Sequence, residues 1–292
     1  MSVSNWFETF NSNLRMSSAT VKTIQSRYKQ ITKRINIDYY GTTSETSNSI
    51  YVGSYGRGTE IFISDIDIIV RLPSSTYSKF NGYTSNGQSA LLQEVRDVIK
   101  KTYSTTHLGG DGQVVVLKFT DDIRYEILPA FINKDGSSYT YPDTNDGGSW
   151  KTTNPKAEID KINRTNNEWN KNLKRLCRMG RAWKKKCSVP ISGLLIDTLA
   201  YNFMENWGNK DKSYLYYDFM SRDFFEYLKN QNTEKKYWLA PGSNQRVYRT
   251  GKFEYKAKQC YNISLEAIEK EKDYPYTAKL KWREVYGTKF PS

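Results

Sequence analysis

The sequence has little of what builds disulfide frameworks, zinc sites and membrane spans. Its 292 residues include three cysteines and one histidine, and no two cysteines are spaced as Cys-x-x-Cys. A structural zinc site is therefore not expected, and Ser-His-Asp chemistry has one imidazole, His107, which lies in a predicted loop. No apolar run is long enough to span a bilayer, and the first residues lack the pattern of a secretory signal. An odd number of cysteines without such a signal predicts a protein of the reducing cytoplasm.

Positive charge is in clear excess. The chain carries 44 lysines and arginines against 31 acidic residues, a formal net charge of +13 at pH 7. This excess of positive charge is typical of proteins that bind anionic partners such as nucleotides or nucleic acids. It is equally typical of proteins whose charge serves solubility and has no specific partner. Charge alone leaves these alternatives open, and without an apolar span a membrane is not an expected partner.

Hydrophobic periodicity predicts a mixed first half and a helical second half. Helices are predicted at 18–36 and 88–103, strands at 49–53, 66–72, 113–119 and 123–132, and loops or turns at 74–87, 107–112 and 133–155. From residue 156 onward the pattern is helical apart from a turn at 240–251. This order predicts an α+β fold, with a mixed-sheet core in residues 1–150 and a helical lobe in residues 151–292.

The most informative segment is GSYGRGTEIFISDIDIIV, residues 53–70. Gly53 and Ser54 form a predicted turn whose backbone can approach a phosphate closely. Asp65 and Asp67 follow on a predicted strand, where residues two apart point to the same face. Paired carboxylates near a phosphate-binding turn are what a Mg²⁺ site needs to hold a nucleoside triphosphate. The segment predicts nucleotidyl transfer, and a solvated strand face is the alternative for the two aspartates.

A third carboxylate is expected on a neighbouring strand, because two carboxylates rarely bridge two metal ions alone. Glu126 fits, since a charge in the middle of the predicted strand RYEILP is costly unless it is paired or bound to metal. Asp121 and Asp122 lie nearer a turn, and turn chemistry explains them.

Three further residues are candidate contacts to a nucleotide. Arg57 lies between Gly56 and Gly58, and Ser64 directly precedes Asp65; for each the alternative is a solvent-facing loop position. Ser192 stands at a predicted helix start, where it either caps the helix or contacts a phosphate.

The basic helix LKRLCRMGRAWKKKC, residues 173–187, carries two more candidates. Arg181 and Lys184 lie at the border between its apolar and polar faces. From such a border a cation can reach a triphosphate while its stem packs on apolar surface, and a plain surface helix is the alternative. Asp197, in the apolar helix LLIDTLAYNF, is predicted to be a structural polar group with a partner.

Together these segments match a known family. The block GSYGRGTEIFISDIDIIVRLP resembles the signature of DNA polymerase β-like nucleotidyltransferases, a Gly-Ser pair followed by Asp-x-Asp. With EILPAF behind it, and RAWK and VPISGLLIDTL in the helical half, nearly the whole chain resembles the cGAS/DncV-like nucleotidyltransferases (CD-NTases). These are mostly bacterial enzymes that make cyclic di- or trinucleotide signals in anti-phage defence. The resemblance implies a polymerase β-like core, a C-terminal helical lobe and an active site in the cleft between them.

The resemblance also implies roles for individual residues. Asp65, Asp67 and Glu126 would be the ligands of two Mg²⁺ ions, which Mn²⁺ can replace, and Gly53 and Ser54 would hold the triphosphate. The third ligand is often Asp in the family, whereas this sequence has Glu.

The family places two more groups on the triphosphate: a basic residue of the helix that contains RAWK and the serine that starts the next helix. Arg181 or Lys184, with Ser192, occupy those positions here, and the choice between the first two stays open. The zinc insertion that binds DNA in the animal sensors of this family is excluded by the cysteine count.

The predicted function is the condensation of two or three NTPs, ATP among them, into a cyclic di- or trinucleotide, with release of pyrophosphate. A regulatory protein or a nucleic acid is allowed as an activator. One alternative is a template-independent nucleotidyltransferase that acts on RNA or protein, which the net charge of +13 permits. Another is an inactive homologue that binds nucleotide or nucleic acid, against which the presence of all three candidate carboxylates argues.

Overall fold

The computed structural model describes residues 2–61 and 65–292. Its α-helices are α1 Val3–Asn13, α2 Ser18–Tyr40, α3 Gly53–Arg57, α4 Ser74–Asn81, α5 Gly87–Lys100, α6 Pro155–Glu168, α7 Asn172–Cys187, α8 Gly193–Asn206, α9 Tyr217–Lys229, α10 Glu254–Lys270 and α11 Pro275–Tyr286. Its strands are β1 Ser49–Tyr51, β2 Asp65–Arg71, β3 His107–Asp111, β4 Val114–Lys118, β5 Arg124–Ile132, β6 Tyr139–Asp143, β7 Ser149–Thr153, β8 Tyr237–Leu239 and β9 Arg246–Tyr248.

The chain forms two compact units. The sheet unit consists of Ser17–Gly56 and Ile63–Ala157, and the helical unit consists of Met1–Met16, Arg57–Phe62 and Glu158–Ser292. The sequence places one boundary after residue 150. The structure differs from that expectation because two short segments from the first half of the chain belong to the helical unit.

The sheet unit is built on a mixed sheet. Strands run in the order β1-β2-β5-β4-β3, and β6 pairs with β5 and with β7. The β2–β5 pair is parallel and the other pairs are antiparallel. The predicted mixed sheet with helices is confirmed.

Helix α2 lies against this sheet through the apolar face that its sequence periodicity predicts. Ile24, Ile31 and Ile35 are buried. The hydroxyl of Tyr125, on β5, donates a hydrogen bond to the backbone carbonyl of Ile24 at 2.6 Å. The helix runs four residues past its predicted end and stops at Gly41, whose φ of 63° suits a left-handed C-cap.

Three predicted loops of the sheet unit are wrong. The stretch predicted as a loop at 74–87 contains α4, whose Phe80 is buried and supplies the apolar anchor for a sequence rich in Ser and Gly. The predicted turn at 107–112 forms most of β3, which pairs with β4. The predicted loop at 133–155 contains the β6–β7 hairpin. Strand pairing in the two hairpins, and the burial of Phe80 in α4, outweigh the local preference of turn-forming residues.

An aromatic core explains why α1 belongs to the helical unit. The ring of Phe7 packs edge-on against Trp282 and Phe290, with centroid distances of 5.2 and 5.1 Å. Phe10 packs on Tyr286 at 4.8 Å. These contacts join the first helix to α11, near the other end of the sequence.

Among the described residues, no helix combines the length and the apolar character that crossing a membrane requires.

Candidate active site

Parallel pairing of β2 and β5 brings the three predicted carboxylates onto one face of the sheet. Asp67 is the register partner of Glu126, and Asp65 lies two residues before Asp67 on the same strand. Register partners and residues two apart share a face, while the intervening Ile66 and Tyr125 are buried on the other face. We call Asp65, Asp67 and Glu126 the acidic face.

Arg124 provides the positive charge beside this face. Its Nε lies 2.8 Å from Oδ1 of Asp65, and its Nη2 contacts Oε1 of Glu126. Arg124 is not among the site residues predicted from the sequence. Strand alternation could have identified it, because it stands two residues before Glu126 and therefore on the same face.

The surroundings of Glu126 disfavour its charged form. Burial raises its pKa, and the negative charge of Asp67 raises it further, while Arg124 partly offsets both effects. A half-buried carboxylate next to another carboxylate is stabilised by a nearby cation.

The structure leaves no room for a side chain at position 53, which is occupied by Gly53. Its φ is 60°, and a Cβ built on it would come within 1.8 Å of Oδ2 of Asp67. The neighbouring Val52 donates its backbone N–H to the carbonyl of Asp67 at 2.9 Å. The start of α3 therefore lies directly against the acidic face, with Ser54 as its second residue.

Tyrosine stacking supports α3 in this position. Tyr55 of α3 packs on Tyr51 of β1 at 4.7 Å, and Tyr51 stacks on Tyr28 of α2 at 4.0 Å. The sequence predicts a glycine turn after β1, and the structure corrects this to a short helix.

The acidic face fits a divalent cation by its donor chemistry. Carboxylate oxygens are the ligands that Mg²⁺ prefers, and closely spaced negative charges need a positive counterpart. Arg124 supplies that charge in this structure. Within residues 2–61 and 65–292 no group of three acidic, cysteine or histidine side chains is arranged to hold a metal ion.

Arg57 is not a solvent-facing loop residue. It is 6% exposed, and its guanidinium donates to Asp197 at 3.0 Å and contacts Glu158 at 3.3 Å. Arg181 donates to the same oxygen of Asp197 at 2.7 Å, as does the hydroxyl of Thr59 at 2.8 Å. We call Arg57, Glu158, Arg181 and Asp197 the buried ion-pair cluster.

The cluster explains two sequence predictions. Asp197, fully buried, has partners as expected of a structural polar group. Arg57 and Arg181 have their charges balanced within the protein, without a nucleotide. Glu158 and Thr59 were not predicted, because a single sequence does not show that Glu158 contacts Arg57 about 100 residues before it, or that Thr59 contacts Asp197 about 140 residues after it.

The remaining predicted residues lie as follows. Ser192 caps α8, accepting a hydrogen bond from the backbone N–H of Leu195 at 3.2 Å. Lys184 is half-buried on α7, and burial followed by the charge of Arg181 lowers its pKa. Ser64 lies outside the described residues.

Comparison with known proteins agrees with this arrangement. Residues 1–166, more than half of the chain, match the profile of the Second Messenger Oligonucleotide or Dinucleotide Synthetase domain. A probable cyclic nucleotide synthase from Bacillus cereus (strain VD146) is 30% identical over 185 residues, which cover 59% of this chain and 53% of that protein. The chain thus matches about half the length of this relative.

Solved structures share the fold. The structure of E. coli MS115-1 CdnC with ATP superposes with a TM-score of 0.71 at 15% identity, covering 98% of each chain. CdnG of Bradyrhizobium diazoefficiens, in complex with GTP, gives 0.66 at 11% identity, covering 97% of this chain and 94% of that one. The apo form of Vibrio cholerae DncV gives 0.65 at 15% identity, covering 99% and 87%.

The fold is that of the α+β nucleotidyltransferases, as the sequence predicts. The chain belongs to the Second Messenger Oligonucleotide or Dinucleotide Synthetase family, and the resemblance to the CD-NTases is confirmed.

Proposed function

We propose that this protein condenses two or three NTPs into a cyclic di- or trinucleotide signal and releases pyrophosphate, in bacterial anti-phage defence. The observation that carries the proposal is the β2–β5 register, which sets Glu126 beside Asp67 on the face that Asp65 shares. Three carboxylates with one arginine between them leave an excess of negative charge, which suits two Mg²⁺ ions.

In this proposal Asp65, Asp67 and Glu126 hold the ions. Bound Mg²⁺ supplies polarisation of the α-phosphate, activation of the attacking hydroxyl and neutralisation of the pyrophosphate. Gly53 leaves room for the backbone of α3 to lie against Asp67, so its N–H groups and the Ser54 hydroxyl are candidates to hold the triphosphate.

Each transfer joins two nucleotides. The ribose hydroxyl oxygen of one NTP loses its proton and forms a bond to the α-phosphorus of another, and the bond from that phosphorus to pyrophosphate breaks. A dinucleotide needs two such transfers and a trinucleotide three, and the last one closes the ring.

Lys184 is a better candidate than Arg181 for a further triphosphate contact. Arg181 already donates to Asp197, to Thr59 and to the carbonyl of Gly193. Lys184 is half-buried beside that arginine with a lowered pKa, and an anion would favour its charged form. Steady-state kinetics of K184A and R181A separate the two. Removal of the residue that binds triphosphate should raise the KM for NTP without lowering the melting temperature.

Partners are proposed by analogy. E. coli CdnC has been solved in a complex with a HORMA protein. We include a regulatory protein among the partners to be sought here, and ATP among the substrates, because the CdnC structure holds ATP.

The central test removes two of the carboxylates. The double variant D65N/D67N, incubated with all four labelled NTPs and Mg²⁺, is expected to give no cyclic product above the background without enzyme. D122N is a matched control, because Asp122 is 92% exposed, lies in the neighbouring β4–β5 turn and has a φ of 63°, which asparagine adopts readily.

Chromatography and mass spectrometry of the products decide the outcome. Cyclic product from D65N/D67N at the wild-type rate would refute the proposal. A wild-type protein that transfers nucleotides only when RNA or a protein acceptor is added would point to the alternative transferase.

A further inference from the structure

Two of the three cysteines face each other in the helical unit. Cys187 is the last residue of α7, and Cys260 lies in the middle of α10. Their sulfur atoms are 3.8 Å apart, although the residues are 73 positions apart in sequence. Both are free thiols. A disulfide bond is about 2.05 Å long, so the sulfurs need to approach by less than about 2 Å.

The two thiols differ in accessibility and acidity. Cys187 is partly exposed, whereas Cys260 is 3% exposed. The hydrogen bond from Cys260 lowers the pKa of the Cys187 thiol to about 7, and the positive charges of Lys256 and Lys186 contribute. The hydrogen bond with Cys187, followed by burial, raises the pKa of Cys260. The accessible member of the pair is thus the better nucleophile near neutral pH.

The surroundings hold Cys187 in place. Its sulfur lies 3.8 Å from the backbone carbonyl of Val285 and 4.0 Å from that of Glu284, both in α11. The thiol therefore lies where the C-terminal end of α7 meets α10 and α11. A covalent bond at this point would fasten the end of the helix that carries Arg181 and Lys184.

We infer that Cys187 and Cys260 form a peroxide-oxidisable dithiol site, which closes a reversible disulfide between α7 and α10. The Cys187 thiolate attacks hydrogen peroxide: an S–O bond forms, the O–O bond breaks and hydroxide leaves, taking a proton to become water. The Cys260 sulfur then attacks the Cys187 sulfenic acid, and an S–S bond forms as the S–O bond breaks. The second water carries away the Cys260 proton, so two thiols lose two electrons and one peroxide becomes two waters.

The third cysteine provides an internal control. Cys177 lies on the same helix α7 but is fully buried, and burial raises the pKa of its thiol. It is expected to stay reduced when peroxide oxidises the pair.

The test is stoichiometric hydrogen peroxide on the intact protein, followed by unfolding in denaturant, alkylation of the remaining thiols and mass spectrometry. We expect loss of two hydrogen atoms, one alkylated thiol at Cys177 and a proteolytic peptide that joins Cys187 to Cys260. Dithiothreitol should reverse the change, and the melting temperature of the oxidised protein should be higher by about 5 °C. Three alkylated thiols after peroxide, or a disulfide that involves Cys177, would overturn the inference.

Single variants check the order of attack. C260S should stop at a Cys187 sulfenic acid that dimedone traps, and C187S should leave Cys260 unreacted. C177S should behave like the wild type, and circular dichroism verifies that each variant is folded. Peroxide oxidation of Cys260 in C187S at the wild-type rate would contradict the assignment. None of these outcomes depends on nucleotide transfer, so they test this site separately from the proposed function.

Discussion

The acidic face and the buried ion-pair cluster are both groups of charged side chains, but they differ in balance and burial. The cluster has two arginines against two carboxylates, and Asp197 within it is fully buried. The acidic face has three carboxylates beside one arginine and is partly exposed. A balanced, buried set satisfies itself and holds structure, whereas an unbalanced, accessible set keeps the capacity to bind a cation.

The largest expected effect is on the balanced set. D197A would leave Arg57 and Arg181 buried without their shared acceptor, and we expect it to lower the free energy of unfolding by about 4 kcal/mol. Urea denaturation measures this. E266A, which breaks the exposed pair of Glu266 with Lys281, should cost at most about 1 kcal/mol. Equal losses in the two variants would mean that burial does not distinguish these ion pairs.

The next effect is on the unbalanced set. In G53A the new methyl group would collide with Asp67, and we expect nucleotidyl transfer to fall about 100-fold because the carboxylate is displaced. G41A is the matched control: Gly41 has a φ of 63°, against 60° for Gly53, and nothing lies within 4 Å of a Cβ built on it.

Both glycine variants should lose about 1 kcal/mol of stability from the left-handed backbone. Only G53A should lose activity, which a product assay at saturating NTP measures. Full activity in G53A would remove the link between Gly53 and the acidic face.

The smallest effect, counted per pH unit, concerns the carboxylate pair of Asp218 and Glu271, which is unbalanced but largely buried. Burial and the charge of Asp218 raise the pKa of Glu271 to about 8, while Trp282 donates a hydrogen bond to it at 3.1 Å. The folded protein therefore holds the Glu271 proton more tightly than the unfolded chain does. The stabilisation that this gives is complete below pH 4.5 and is lost as the pH rises through about 8.

Melting temperatures measured between about pH 5 and pH 8 test this sign. The slope from one proton is at most about 1.4 kcal/mol per pH unit, and E271Q should flatten it and stabilise the protein at the alkaline end. If the melting temperature of E271Q fell more steeply with rising pH than that of the wild type, a proton on Glu271 would not be what stabilises this carboxylate pair. Such a result would weaken the rule that buried charges are neutralised internally.

More of the acidic face than of the buried ion-pair cluster could be predicted from the sequence. Asp65 and Asp67 share a face because strand geometry is periodic, and Glu126 was found because a charge inside an apolar strand needs an explanation. The same strand periodicity places Arg124, two residues before Glu126, on this face. Glu158, by contrast, carries no signal in the sequence pattern, and only folding brings it to Arg57.

Local composition was least informative in segments rich in turn-forming residues that strand pairing or side-chain packing holds in regular structure. The β6–β7 hairpin and α4 are rich in Ser, Asn, Asp and Gly, and these residues favour turns when considered alone.

The family, the mixed sheet and the three carboxylates on adjoining strands could be predicted from the sequence, because those features follow from short-range periodicity and a contiguous motif. The remaining features depend on packing in three dimensions. The tertiary structure assigned α1 and the segment that begins at Arg57 to the helical unit, because burying Phe7 and satisfying Arg57 outweigh chain proximity. It also set Gly53 against Asp67 and Cys187 against Cys260, since these distances arise only when separate segments pack together.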